Sequence, residues 1–251
     1  MSRRALVVAF MLAVAAAPAQ AGEVYQVSTI SSLLAGGYDG DVAVGELLRH
    51  GNFGLGTYNG VDGEMVVLNG RAYRCTTDAV AHPVPAATRT PFAVVTRFDP
   101  QITVAVKAGQ SFDQLQATLD ALPVSASRIV AVRIVGRFQT MQVRSEPKQL
   151  PPYQPLAEVI KTQQVVHDLG AVDGTLVGFR FPATASSVNV AGWHFHFITA
   201  DGTRCGHVLG LTTGAGRAAV QAIADLHVRF PVQAPVAPAS ADAIRAVEHA
   251  Q

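Results

Sequence analysis

The stretch from Gly192 to Gly210 constrains this chain more than any other, because it prescribes a hairpin and a metal site together. It holds three of the eight histidines, the single tryptophan and one of the two cysteines. Aromatic and β-branched residues flank Asp201-Gly202, the strongest short-range signal for a hairpin with a two-residue turn. With those two residues as the loop, Ala200 faces Thr203, Thr199 faces Arg204, Ile198 faces Cys205, Phe197 faces Gly206 and His196 faces His207. Strand side chains alternate between faces, so His194 and His196 point the same way, and His207, opposite His196, joins them. Directly opposed Cβ atoms sit about 5 Å apart, near enough for imidazoles to share one ion. Three imidazoles on one face form the ligand set of a zinc site with a position left open for water or substrate. Cys205 is read as facing the other way, a packed thiol and not a ligand. Trp193, Phe195 and Phe197 alternate with the ligands and are expected to form the core behind the site.

The start of the chain reads as an export signal. Arg3 and Arg4 precede an apolar run from Ala5 to Ala16 that is too short for a membrane span, and Ala19-Gln20-Ala21 supplies an A-x-A cleavage pattern. Residues 1–21 are therefore expected to be removed, leaving residues 22–251 as a single exported catalytic domain, periplasmic or secreted, with no membrane span. Losing Arg3 and Arg4 takes the formal charge from +1 to −1. A near-neutral chain without a basic stripe carries no electrostatic footprint for nucleic acid. Cys75 and Cys205 are consistent either with one disulfide, as in other exported chains, or with two buried thiols.

Strand signals dominate the rest. Asn52–Tyr58 is glycine-spaced and extended, and Asn69-Gly70 marks a tight hairpin between Gly63 and Cys75. Pro91–Phe98, Ile102–Val106, Arg128–Phe138, Gly174–Phe181 and Val188–Thr199 are strand candidates. Asp41 is expected to cap a short helix ending at Gly51. Ser111-Phe112-Asp113-Gln114 fits a capping box ahead of a Leu115, Leu119, Leu122 stripe. Leu156–Gln163 suits a short helix, Ala218–Leu226 suits helix or strand, and Ser240 can cap a final helix that carries Glu248. The proline-rich run 141–156 is expected to connect two halves. Taken alone, Glu64 at a strand entry and Arg144 in that run suit solvated charges as well as functional ones. Strands without regular helical crossovers predict an α+β fold, with mixed or antiparallel sheets in two associated halves, a few short helices and the metal site on a β-hairpin.

These segments, in this order, resemble the bacterial α-acetolactate decarboxylases. The resemblance is carried by Gly54-Leu55-Gly56-Thr57, Asp62-Gly63-Glu64-Met65, Thr90-Pro91-Phe92-Ala93, Val143-Arg144-Ser145 and Pro152-Tyr153-Gln154-Pro155-Leu156. It continues through Gly174-Thr175-Leu176-Val177-Gly178-Phe179, His194-Phe195-His196-Phe197 and Gly206-His207. It implies that His194, His196 and His207 bind Zn²⁺, that Glu64, Arg144 and Glu248 serve catalysis, and that Thr57 lines the substrate pocket. It also implies a homodimer. Two positions depart from the family's pattern: Tyr58 stands where Phe is expected, and Cys205 where Gly is expected.

The implied reaction is the decarboxylation of 2-acetolactate to acetoin, on the route to 2,3-butanediol. Loss of carbon dioxide leaves an enediolate, and a three-histidine zinc suits it by chelating the hydroxyl and keto oxygens. Other transition metals also suit imidazoles. Glu64 fits a general base, Arg144 a carboxylate-orienting group, and Glu248 an assistant to either proton transfer. Three other classes share a three-histidine site: a carbonic anhydrase-like lyase, a cupin-type oxygenase and a non-catalytic metal carrier. The cupin pattern needs a carboxylate a few residues after His-x-His, and the next acidic residue here, Asp201, lies in the turn.

Overall fold

The structure, a computed structural model, describes residues 22–124, 128–186 and 188–230. The expected signal segment and the final helix with Glu248 lie outside the described residues.

In chain order the elements are β1 (Glu23–Val27), α1 (Ile30–Leu34), β2 (Val42–Ala43), α2 (Val44–His50), β3 (Phe53–Thr57), β4 (Glu64–Leu68), β5 (Arg71–Cys75) and β6 (Ala81–Pro83). Then follow β7 (Arg89–Thr90), β8 (Phe92–Thr96), β9 (Ile102–Val106), α3 (Phe112–Asp120), β10 (Ile129–Ser145), α4 (Leu156–Gln163) and β11 (Val165–Asp168). Last come β12 (Val172–Phe181), β13 (Gly192–Thr199), β14 (Cys205–Ile223) and β15 (Asp225–Arg229). Seven strands form one sheet in the order β15-β1-β8-β3-β4-β5-β6, and six form a second in the order β11-β10-β12-β13-β14-β9. The β1–β15 pair is parallel and its neighbours are antiparallel, which is the mixed α+β arrangement expected. In the second sheet β10 pairs with β12 along one edge and β14 along the other, while β13 pairs with both β12 and β14, so these four strands close on one another.

Alternation along β13 sorts its side chains into two cores. Trp193, Phe195 and Phe197 pack with Val130, Val132, Leu176 and the α3 residues Leu115 and Leu119, as the hairpin pattern required. The opposite face, with Ile198 and Val177, packs against Phe53, Leu55 and Val66 of the first sheet. The histidines stand on this second face.

Several expectations are corrected. Arg144 is not in a loop: β10 continues through Met141–Ser145, paired with β11 and β14. The run 141–156 does not join the two halves either, because β10 and β11 belong to one sheet; the chain passes between sheets after β8 and again after β14. Its prolines end the pairing only beyond Ser145. Helix α2 starts at Val44 with Ala43 as its N-cap and no side-chain cap bond; Asp41 instead meets Arg229 at 2.8 Å. The 218–226 stretch is strand through Ile223, since β14 is held by both β10 and β9 and this pairing overrides the helix propensity of alanine. The capping box at Ser111 and the Asn69-Gly70 hairpin form as expected, with φ of 52° and 74° at the two turn residues.

Cys205 is also corrected. It lies two residues from His207 on one strand, so alternation puts both on the same face. There it forms a disulfide with Cys75, 130 residues away, tying β5 of the first sheet to β14 of the second. Closing so long a loop restricts the unfolded chain by about 5 kcal/mol on the chain-entropy account. Reduction, or the Cys75→Ser/Cys205→Ser variant, is expected to lower the melting temperature by about 10 °C or more. Superimposed melting curves with and without reductant would show that the cross-link contributes nothing.

Candidate active site

His196 pairs with His207 across β13 and β14, Phe197 with Gly206 and Ile198 with Cys205, the register read from the sequence. The turn itself differs. Asp201 does not sit in a two-residue loop. Its carboxylate accepts from the Thr199 hydroxyl, the Thr203 amide and the Thr203 hydroxyl, and Thr199 closes the ladder by donating its amide to the Arg204 carbonyl. The loop is thus residues 200–203. An Asp side chain that bonds its own backbone two residues on favours this wider turn, and because residues are added evenly to both sides the register is unchanged.

The three rings converge. His194 Nε2 lies 3.1 Å from His196 Nε2 and 3.2 Å from His207 Nδ1. One ring nitrogen carries at most one proton, so His194 Nε2 cannot serve both contacts as full hydrogen bonds. Imidazole nitrogens 2.0–2.1 Å from a tetrahedral zinc stand roughly 3.3 Å apart, so the triangle fits such an ion closely. Burial, reinforced by the Arg144 charge, pushes His194 down to about 3, and burial holds His196 well below its ordinary value. Both are therefore neutral at physiological pH, as metal ligands must be. His196 Nδ1 donates to the Met65 carbonyl at 2.7 Å, which fixes its tautomer and turns Nε2 toward the other rings.

Sheet register delivers the charged groups. Arg144 on β10 pairs with His207, whose other neighbour is His196, so the three side chains share one face. The β10 backbone approaches closely here because residue 206 is glycine; a Cβ would stand 2.9 Å from the Arg144 carbonyl. Glu64 arrives from the first sheet. Its neighbour Gly63 has φ +78°, and a Cβ there would meet the Cys75 carbonyl at 2.3 Å. Only glycine fits, and the Asp62-Gly63 bend turns Glu64 inward. Glu64 Oε2 lies 3.3 Å from His196 Nε2. Both charged groups that sequence position alone left open to solvent are buried, Glu64 at 8% and Arg144 at 3% exposure.

Thr57 pairs with Glu64, and its hydroxyl donates to the Gly63 carbonyl at 2.7 Å. It lines the pocket and also braces the turn that presents Glu64. Tyr58, one of the two departures, is buried with its hydroxyl on the Tyr73 carbonyl. Glu248 is outside the described residues. The sequence reading missed Glu146, a buried carboxylate beside Arg144; its signal was its position, two residues on from Arg144 in an extended chain.

These groups meet at one pocket. Its polar side carries His194, His207, Glu64, Arg144, Glu146 and Thr57, and its apolar wall includes Ile30 and Leu33 of α1 with Leu156 and Ile160 of α4. An imidazole cluster, two carboxylates and one guanidinium against an apolar wall suit a small substrate with a carboxylate for the guanidinium and oxygens for a cation to grip.

Comparison with known proteins agrees. The family model for alpha-acetolactate decarboxylase matches residues 24–237. The alpha-acetolactate decarboxylase of Methylococcus capsulatus is 48% identical over 187 residues, covering 74% of this chain and 72% of that protein. That of Klebsiella aerogenes is 38% identical over 232 residues, covering 90% and 89%. The crystal structure of alpha-acetolactate decarboxylase from Bacillus subtilis strain 168 superposes with a TM-score of 0.86 at 35% identity, covering 90% of this chain and 99% of that one.

Proposed function

The chain belongs to the alpha-acetolactate decarboxylase family, and from that premise we propose how its site performs the reaction. The protein is a carboxy-lyase that converts 2-acetolactate to acetoin and carbon dioxide. The carrying observation is the cluster of His194, His196 and His207, two of which, His194 and His207, line one pocket with Glu64 and Arg144. The carbonic anhydrase-like, oxygenase and carrier alternatives find no support in these matches.

His194, His196 and His207 would hold the metal, and Zn²⁺ is the reading best supported by an all-imidazole set. When bound, the cation supplies Lewis-acid stabilisation of negative charge on oxygen. Glu64 takes the substrate hydroxyl proton. Arg144 receives the substrate carboxylate, and the apolar wall of α1 and α4 takes the methyl groups and excludes water. The bond to the carboxyl carbon then breaks, its electron pair passing into the enediolate as carbon dioxide leaves. The proton on Glu64 returns to oxygen, and one further proton is taken up at carbon to give acetoin.

Three finer points belong to the proposal. Export is supported by the signal pattern over residues 1–21 and by the Cys75–Cys205 disulfide, which suits an oxidising compartment. Glu248 as an assisting carboxylate and the homodimer rest on the family resemblance.

The test is acetoin formation from racemic 2-acetolactate by the chain from Gly22 onward, before and after metal stripping. Activity should fall by at least about a hundredfold with chelator and return with zinc. Metal bound one-to-one with no acetoin formed would overturn the reaction while sparing the histidine site.

A further inference from the structure

Two side chains hold the Arg144 guanidinium. Its Nε lies 3.3 Å from Glu146 Oε1, with both side chains almost fully buried, at 3% and 2%. Its Nη1 donates to Gln164 Oε1 at 3.3 Å, from the residue that caps the C-terminus of α4. Between the paired charges, the Ser145 hydroxyl donates to the Cys75 carbonyl at 2.6 Å and fixes the backbone. Glu146 itself lines the pocket. A carboxylate there repels an anionic substrate, so direct binding does not explain it. Its neighbour does: Arg144 Nε and Glu146 Oε1 make no hydrogen bond, but a buried opposite charge 3.3 Å away holds the guanidinium in place at the pocket wall.

We propose that Glu146 is a positioning residue for the reaction, orienting Arg144 toward the substrate carboxylate. The inference rests on the reading that Arg144 receives that carboxylate. The carboxylate charge disappears as carbon dioxide forms, so this contact is stronger in the ground state than in the transition state. A misaligned Arg144 therefore raises KM more than it lowers kcat.

The test compares Glu146→Gln, Glu146→Asp, Arg144→Ala and the double variant Arg144→Ala/Glu146→Gln. KM and kcat for 2-acetolactate are measured with zinc content and circular dichroism, and with enzyme in excess for slow variants. Glu146→Gln should raise KM roughly tenfold to a hundredfold with zinc content unchanged. Glu146→Asp, which keeps the charge, should recover part of that loss. In the Arg144→Ala background the Glu146→Gln change should cost less than about twofold, because a residue acting through Arg144 has nothing left to act on. If Glu146→Gln does not fold, the double variant, which leaves neither charge unpaired, and Glu146→Asp carry the comparison. A KM within about twofold of the parent for Glu146→Gln, or losses that multiply in the double variant, would overturn the proposal. Arg144→Ala with unchanged KM would remove the reading of Arg144, and this inference with it. A large Arg144→Ala effect beside a silent Glu146→Gln removes this inference alone.

Discussion

Replacing His196 by Ala is expected to remove metal and turnover together, lowering kcat/KM by more than about 10³-fold. His196 is the most enclosed of the three histidines, at 1% exposure. It joins the two sheets: its Nδ1 is held by the Met65 carbonyl on β4, and its Nε2 faces His194 and Glu64. Without it two imidazoles remain, fewer than the three protein ligands a catalytic zinc ordinarily keeps. The substitution also leaves the Met65 carbonyl without its donor, so a modest loss of stability is expected alongside. Metal analysis, acetoin formation and a melting curve check the three effects. His82→Ala, at an exposed position on β6, serves as the control and should behave like the parent. Normal zinc content and turnover in His196→Ala would refute the metal centre.

The second large effect isolates proton transfer from metal binding. Glu64→Gln keeps the size of the side chain and leaves all three histidines in place. Zinc content should stay at the parent level while kcat falls by about 10²–10⁴-fold, the range for losing a positioned general base. Glu64 suits this experiment because β4 places it beside the cluster without making it one of the three imidazoles. Measuring kcat and zinc on the same preparation separates the two roles. A variant with near-normal turnover would exclude Glu64 as the base, and one that loses zinc would make it a ligand.

Much of this site was legible in the sequence because it is built from period-two alternation across one hairpin. His194-x-His196 and an opposed His207 follow from strand geometry once the register is known, and the residues that set the register are local. Trp193, Phe195 and Phe197 fell on the opposite face by the same rule. The wider turn left the pairing intact because its extra residues were shared evenly. The same rule, applied correctly, places Cys205 beside His207, so that correction needed no tertiary information. Glu64 and Arg144 were different. Their chain neighbours suited surface charges, and the resemblance to a known family, not the local pattern, singled them out.

The sequence by itself determined what depends on neighbours along the chain: strand periodicity, the capping box at Ser111, the tight turn at Asn69-Gly70, and three imidazoles on one face. Only the tertiary structure decided what depends on strands far apart. It placed Arg144 next to His207 by pairing β10 with β14. It drew Glu64 and the Met65 carbonyl to His196 by packing one sheet on the other. It joined Cys75 to Cys205 across that packing and buried Glu146 against Arg144. The physical reason is that backbone hydrogen bonding and alternation act over a few residues. Burial of charge depends on which distant surfaces exclude water together, and no window of sequence contains that.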